Sequence, residues 1–185
     1  DLMSQATAAE GQLTFPVSGP VFIGVTIGGN DLVNVIFQPS ALPQTVAAMN
    51  TNIGNFIDWT QDASTFPDGA YVYLANVYDP SDGVGSATDC FSGFDTTAAV
   101  QALEQANDNL RTMAETRGFA VVDMHGHFAG HGLNYAMTDI ETYDDADPTL
   151  WFESDCIHPN VRGHHELRRI FFAAAVDEDL PYVGP

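Results

Sequence analysis

The amino-acid sequence predicts a single α/β domain with a parallel sheet, spanning residues 1–185. The length of 185 residues suits one domain, and a hydrophobic content of 45% is enough to build a core. Short runs with strand character alternate with longer runs of helical spacing, which is typical of parallel α/β folds. These observations exclude a disordered chain, a collagen-like fibre and a coiled coil.

Three strands are predicted from apolar runs. The first, residues 20–27, is continuously apolar, as expected for a strand covered on both faces, and Gly28-Gly29-Asn30-Asp31 ends it in a turn. Residues 70–77 and 119–124 have the same character.

Four helices are predicted, over residues 1–10, 44–59, 96–117 and 160–176. Thr96 or Thr97 is the candidate cap of the third helix, and Gly118 is its stop. The last helix is expected to begin after Pro159 and to carry its arginines, Arg162, Arg168 and Arg169, on its polar side.

Two long segments, residues 79–95 and 125–154, each follow a predicted strand. Both exceed the usual connection of about 4–6 residues, and such loops in compact domains are usually functional. Because ligands of open α/β sheets bind at the carboxyl ends of the strands, we expect both segments on the ligand-binding rim.

The charge balance argues against two classes of partner. The chain has 25 acidic residues and five basic ones, all arginine, for a formal net charge of −20. Nucleic acids and anionic bilayers are bound by basic surfaces, so neither is an expected partner. The acidity is interpreted as a solubility feature typical of a saline or extracellular setting. No apolar run reaches the roughly 20 residues of a membrane-spanning helix.

The two cysteines, Cys90 and Cys156, permit either one disulfide or two free buried thiols. We expect the Cys90–Cys156 bridge and a secreted or extracytoplasmic location, because an acidic chain without lysine suits an oxidising compartment. The sequence opens at Asp1 without a signal peptide, and this start is interpreted as a processed or truncated end.

Asp155 and His158 are the first candidate catalytic residues, in the sequence Asp155-Cys156-Ile157-His158-Pro159. A turn can bring this carboxylate to the imidazole. A carboxylate that accepts the Nδ1 proton leaves Nε2 free to take a proton from a nucleophile. The same spacing also suits a structural hydrogen bond within a loop.

Asn30 is the second candidate, in the Gly28-Gly29-Asn30-Asp31 sequence after the first strand. Glycines allow a sharp turn and close approach to a ligand, and the amide of Asn30 is a neutral donor that could stabilise an oxyanion. The alternative is an ordinary Gly-Asn turn.

Together, the two features resemble the SGNH hydrolase superfamily, also called GDSL lipases and esterases. In that family a strand ends in Gly-x-Asn-Asp, and Asp-x-x-His-Pro follows far downstream, just before the final helix. Residues 21–27, 121–132 and 158–164 are similar to three of its sequence blocks, so the resemblance covers nearly the whole chain.

The resemblance implies a three-layer α/β/α, flavodoxin-like fold and hydrolysis of carboxylic esters through an acyl-enzyme, with no cofactor and no metal. It identifies His158 with the base, Asp155 with the acid that orients the base, and Asn30 with a side-chain donor of the oxyanion hole. The expected substrate is a small-molecule or lipid ester.

The Gly-Asp-Ser block of the family, which carries the nucleophile, has no counterpart here; Asp1-Leu2-Met3-Ser4 lacks both the glycine and a preceding strand. We therefore expect the first strands of the sheet to be missing from this chain. The serine is expected to come from an N-terminal fragment of the same protein, separated by a nick. Alone, the chain should be inactive and should expose an apolar sheet edge along residues 21–27.

Two other functions fit the sequence: a non-catalytic ligand-binding remnant of a hydrolase fold, and a glycan O-deacetylase. The histidines of residues 125–131 and 164–165 match no zinc motif and are interpreted as hydrogen-bonded loop residues. The acidic segments 79–89 and 139–147 offer oxygen ligands that suit Ca²⁺ but match no EF-hand, and are interpreted as solvated loops.

Overall fold

The structure is a computed structural model that describes residues 2–85 and 96–176. The strands are β1 (Val21–Thr26), β2 (Ala70–Ala75) and β3 (Ala120–Val122). The α-helices are α1 (Leu2–Glu10), α2 (Gly29–Phe37), α3 (Leu42–Thr60), α4 (Thr97–Arg117), α5 (Met124–Phe128) and α6 (Val161–Val176), and a 3₁₀ turn at Pro39–Ala41 precedes α3.

The three strands form one parallel sheet in the order β1-β2-β3. Their last residues, Thr26, Ala75 and Val122, pair with one another in a single row. The segments that leave the three strands therefore start from the same rim, as predicted. A parallel sheet flanked by helices confirms the predicted fold class.

Alternate residues of β2 face the two sides of the sheet, and each side has its own core. Val72 and Leu74 lie in a cluster with side chains of α1, α3 and α4. Tyr73 and Ala75 lie in a second cluster, against Phe128, Trp151, Phe152 and the apolar side of α6. A third cluster joins α2, α3 and α4 beyond the end of β2. The helices thus hold the sheet from both sides.

Strand β1 is an edge strand, and one of its faces is open. Among the described residues, β2 is its sole strand partner. Phe22 stacks on Tyr71 with ring centroids 4.9 Å apart, yet it remains 59% exposed. The prediction that this strand is covered on both faces is therefore wrong for the part of the chain that the structure describes. The lack of a second strand partner for β1 among the described residues agrees with the other expectation, of an open sheet edge.

The four predicted helices are confirmed, with ends that differ by at most two residues. Gly118 ends α4 in the left-handed conformation, with φ 75°, as predicted. Thr96 lies at the N-cap of α4, one of the two predicted positions, although its side chain makes no capping hydrogen bond. The described residues contain no helix long and apolar enough to cross a bilayer.

Helix α2 was not predicted, and it changes the interpretation of the glycine turn. Gly28 is its N-cap, with φ 103°, and Gly29, Asn30 and Asp31 form its first turn. A Cβ at Gly28 would lie 2.6 Å from Cε of Met49, so both backbone and packing require glycine there.

We expect Gly28→Ala to lower the free energy of unfolding by about 1–3 kcal/mol, because alanine would be strained at this φ and would clash with Met49. Gly29→Ala is the matched control, since a Cβ there meets no atom within 4 Å. Urea denaturation of both variants measures the difference. Equal losses in the two variants would contradict the role assigned to Gly28.

Candidate active site

Residues 153–158 form a tight loop, here called the His158 loop. It is closed at its base by an antiparallel bridge between Phe152 and Pro159. The backbone N–H of Glu153 donates to the carbonyl of His158 at 2.8 Å. The two ends of this short loop are therefore held together, and α6 follows it.

Within this loop the side chain of Asp155 holds both the backbone and the ring of His158. Its Oδ1 accepts from the backbone N–H groups of Ile157 and His158, at 3.1 and 2.9 Å. Its Oδ2 lies 2.7 Å from Nδ1 of the His158 ring. The spacing of three residues therefore brings carboxylate and imidazole together, as the sequence predicted.

The hydrogen bonds also fix the protonation state of Asp155. The backbone N–H of His158, then its ring and the N–H of Ile157, lower the pKa of Asp155 to about 2. The ionised carboxylate can only accept, so the Nδ1 atom of His158 carries the proton. Nε2 of His158 has no partner among the described residues and is available as a proton acceptor.

Tyr78, which follows β2, attaches the His158 loop to the sheet. Its hydroxyl donates to the carbonyl of Ile157 at 2.7 Å. The ring is packed against Phe128 and Phe152, with centroids 5.3 and 5.1 Å away. Burial, aided by the charge of Asp155, raises the pKa of Tyr78 to about 12, so the hydroxyl remains a donor. Sequence reasoning missed Tyr78; its position just after a predicted strand was the available signal.

Asn160 fixes the other side of the loop and was also missed as a site residue. Its side-chain amide donates to the carbonyl of Leu150 at 2.8 Å. Its Oδ1 accepts from the backbone N–H groups of Arg162 and Gly163, which start α6. An Asn placed before a helix commonly caps it in this way.

His158 and Asn30 line one pocket of about 660 Å³ on the rim of the sheet. Asn30 is exposed and lies in the first turn of α2, so it is a helix residue and not a plain turn residue. The structure thus brings two of the three predicted site residues to the pocket, and Asp155 lies behind His158.

Among the described residues, Ser81 is the serine that lines this pocket. It is buried, and its Oγ donates to Oδ1 of Asp79 at 2.7 Å while accepting from the N–H of Gly85 at 3.0 Å. Ser81 therefore serves the structure of its loop.

The acidic residues after β2, Asp79 and Asp82, are buried, whereas the sequence predicted a solvated loop. Asp82 is 3% exposed and accepts from the backbone N–H groups of Gly130, Gly132 and Asn134. Burial raises the pKa of Asp82, although these three bonds oppose the shift. Asp82 thus joins the two long segments of the rim. Asp89, in the same acidic segment, lies outside the described residues.

The histidines after β3 take part in local packing and hydrogen bonding. His131 stacks on Trp151 with ring centroids 3.5 Å apart, and Nε2 of His127 lies 3.1 Å from Oε2 of Glu166. Within residues 2–85 and 96–176 no group of three or more His, Cys, Asp or Glu side chains is arranged to hold a metal ion.

Cys156 is buried in the His158 loop, where its backbone is left-handed with φ 68°. Cys90 lies outside the described residues, so the Cys90–Cys156 bridge stays a prediction. If it forms, it fixes the residue next to Asp155.

We expect the Asp155 carboxyl to titrate near pH 2, as followed by its ¹³C chemical shift. Because folding lowers this pKa, ionised Asp155 stabilises the fold above about pH 4, and that contribution is lost as the pH falls towards about 2. His158→Ala should raise the midpoint only in part, since the backbone bonds remain. A midpoint near 3.8 in the unmodified chain would contradict the geometry described for this loop.

Comparison with known proteins agrees with the fold. The sequence profile of the GDSL-like Lipase/Acylhydrolase family matches residues 5–166. A phospholipase A1 from Streptomyces albidoflavus has a similar structure, with a TM-score of 0.61 and 17% identity over 91% of this chain and 75% of its own. None of the curated sequences compared with this chain is significantly similar to it.

Two further structures are similar at a TM-score of 0.52. One is LAE5, an α/β hydrolase from the metagenome of Lake Arreo, with 18% identity over 94% of this chain and 66% of its own. The other is a variant of Axe2, an acetyl-xylooligosaccharide esterase from Geobacillus, with 17% identity over 97% of this chain and 69% of its own. With the profile matched over most of its length, the chain belongs to the GDSL-like lipase/acylhydrolase family, whose activity at the family level is hydrolysis of carboxylic esters.

Proposed function

We propose that this chain supplies the base and the orienting acid of a Ser-His-Asp triad that cleaves carboxylic esters through an acyl-enzyme. The observation that carries the proposal is the 2.7 Å contact between Asp155 Oδ2 and His158 Nδ1, with Nε2 left without a described partner at a pocket shared with Asn30. Such a base can activate a hydroxyl nucleophile.

The proposed reaction has two halves. Nε2 of His158 takes the serine proton as Oγ attacks the carbonyl carbon, and the Asn30 amide donates to the resulting oxyanion. The imidazolium, stabilised by Asp155, then protonates the leaving alcohol oxygen as the C–O bond breaks. Water, activated by the same nitrogen, attacks the acyl-enzyme; the acid leaves and serine regains its proton. No cofactor takes part in these steps.

In this proposal the nucleophilic serine belongs to an N-terminal fragment of the same protein. Two observations support it. The hydroxyl of Ser81, the described serine of the pocket, is occupied by hydrogen bonds to Asp79 and Gly85 of its own loop. The edge strand β1 has no strand partner on its outer side among the described residues, and Phe22, on one face of the sheet, remains exposed. An added strand would pair with that edge and place its following residues on the same rim. The Cys90–Cys156 bridge and a secreted or extracytoplasmic location belong to the same proposal.

We expect His158→Ala and Asp155→Asn each to lower kcat by about 10⁴-fold in the complete protein, because the first removes the base and the second favours the wrong imidazole tautomer. Glu153→Gln is the control, as an exposed acid in the same loop with no side-chain partner described. Hydrolysis of p-nitrophenyl esters reports the rates. Wild-type turnover in either triad variant would end this assignment.

Removing the amide of Asn30 should cost less. Asn30→Ala is expected to lower kcat by about 10²–10³-fold, the usual effect of losing one oxyanion donor. Asn34→Ala, an exposed position on the same helix, should leave kcat unchanged. If the two variants behave alike, Asn30 has no part in stabilising the oxyanion.

The source of the serine has a separate test. The 185-residue chain alone should not turn over p-nitrophenyl esters, and a co-expressed fragment carrying Gly-Asp-Ser should restore hydrolysis together with an altered mass of the complex. Ester turnover by the chain alone would refute the proposal that a separate fragment supplies the serine. Failure of any such fragment to restore activity would favour a ligand-binding remnant of the fold.

A further inference from the structure

The pocket at His158 extends into a cleft between α2 and α4, and each helix faces it with one regular stripe. The residues of α2 that line the pocket at helical spacing are Gly29, Leu32, Val33 and Ile36. Those at the start of α4 are Thr96, Ala99, Val100 and Leu103. Both sets follow the i, i+3, i+4, i+7 pattern of a single helix face. Two helix faces are therefore turned towards the same space.

The two stripes carry no charged side chain, although Asp31, next to Asn30, also lines the pocket. Four of the stripe side chains are buried: Leu32, Ile36, Ala99 and Leu103. Ile36 and Leu103 belong to the cluster between α2, α3 and α4, at 9% and 6% exposure. Val33 and Val100 are half-buried. At Gly29, beside Asn30, an added Cβ would meet nothing within 4 Å, so the cleft is open there. A neutral apolar group fits these walls.

The length of the stripes limits the length of that group. Seven residues of α-helix rise about 10 Å, which is the distance from Gly29 to Ile36 along α2. An all-trans alkyl chain built from C–C bonds of about 1.5 Å advances about 1.25 Å per bond, so about eight carbons span the stripe.

We propose that this cleft is the acyl site of the enzyme and accepts straight-chain acyl groups of about six to eight carbons, an inference that rests on the proposed ester hydrolysis. The carbonyl lies at Asn30 and His158, and the alkyl tail runs between the two stripes towards Ile36 and Leu103. An acetyl group would not reach the apolar side chains of the stripes and would gain little from burial there, so short acyl esters are poor substrates.

Binding of 1-alkanols from ethanol to dodecanol to the 185-residue chain tests the cleft without needing the serine. Affinity measured by calorimetry should rise about fourfold per methylene and level off near eight carbons. In Val100→Trp, where the indole fills the cleft, the plateau should come at a shorter chain. Gln101→Trp places the same side chain on the exposed side of α4 and should reproduce the unmodified series.

Two results would contradict the assignment of this cleft as the acyl site. One is an alkanol affinity that does not depend on chain length; the other is an affinity that keeps rising up to dodecanol and is unaffected by Val100→Trp. Thermal unfolding checks that each variant is folded. If Val100→Trp does not fold, Val33→Trp fills the cleft from α2, with the exposed Asn34→Trp as its control.

The outcome for the cleft is separable from that for the proposed reaction. If the alkanols bind as expected but the complete protein does not turn over esters, the proposed ester hydrolysis is refuted and the apolar binding cleft is supported. If the protein prefers acetyl to octanoyl esters and alkanol affinity does not change with chain length, the proposed ester hydrolysis is supported and the acyl site is refuted.

Discussion

The hydrogen bond between Asp155 Oδ2 and His158 Nδ1 is the interaction on which the candidate site depends. The two residues are only three positions apart, but residues distant in the sequence hold them in this geometry. The loop that carries it is closed by the Phe152–Pro159 bridge, and Tyr78 attaches it to the end of β2. Because backbone N–H groups occupy the other carboxylate oxygen, Asp155 is held in one orientation before any substrate is present.

The register of the sheet explains why the remaining parts of the site meet there. Thr26, Ala75 and Val122 end the three strands in one row. The next residues of β1 lead to Asn30, and those of β2 lead to Tyr78. Apolar side chains of α2 and α4 line the same pocket as these polar groups. Polar groups on a rim next to an apolar recess are what an ester hydrolase needs to hold a carbonyl and an acyl tail at once.

The sequence predicted the strands and the longer helices because their apolar spacing is a local property, and it predicted the Asp155–His158 contact because three residues fit one turn. It did not predict α2, since Gly-Gly-Asn-Asp has turn composition and this nine-residue helix is held by packing against α3 and α4. Asp82 was expected in water, but it is satisfied by backbone donors about fifty residues away. Such long-range partners leave no local pattern. The nucleophile and the disulfide stay predictions.

The central claim is that Asp155 holds His158 as the Nδ1–H tautomer with Nε2 free to accept a proton. The ¹⁵N chemical shifts of the His158 ring measure this directly, in protein labelled at histidine and kept above the pH at which the ring is charged. We expect a protonated Nδ1 and an unprotonated Nε2, and loss of this preference in Asp155→Asn. A predominant Nε2–H tautomer in the unmodified protein would contradict the claim, because that nitrogen could not then take a proton from serine.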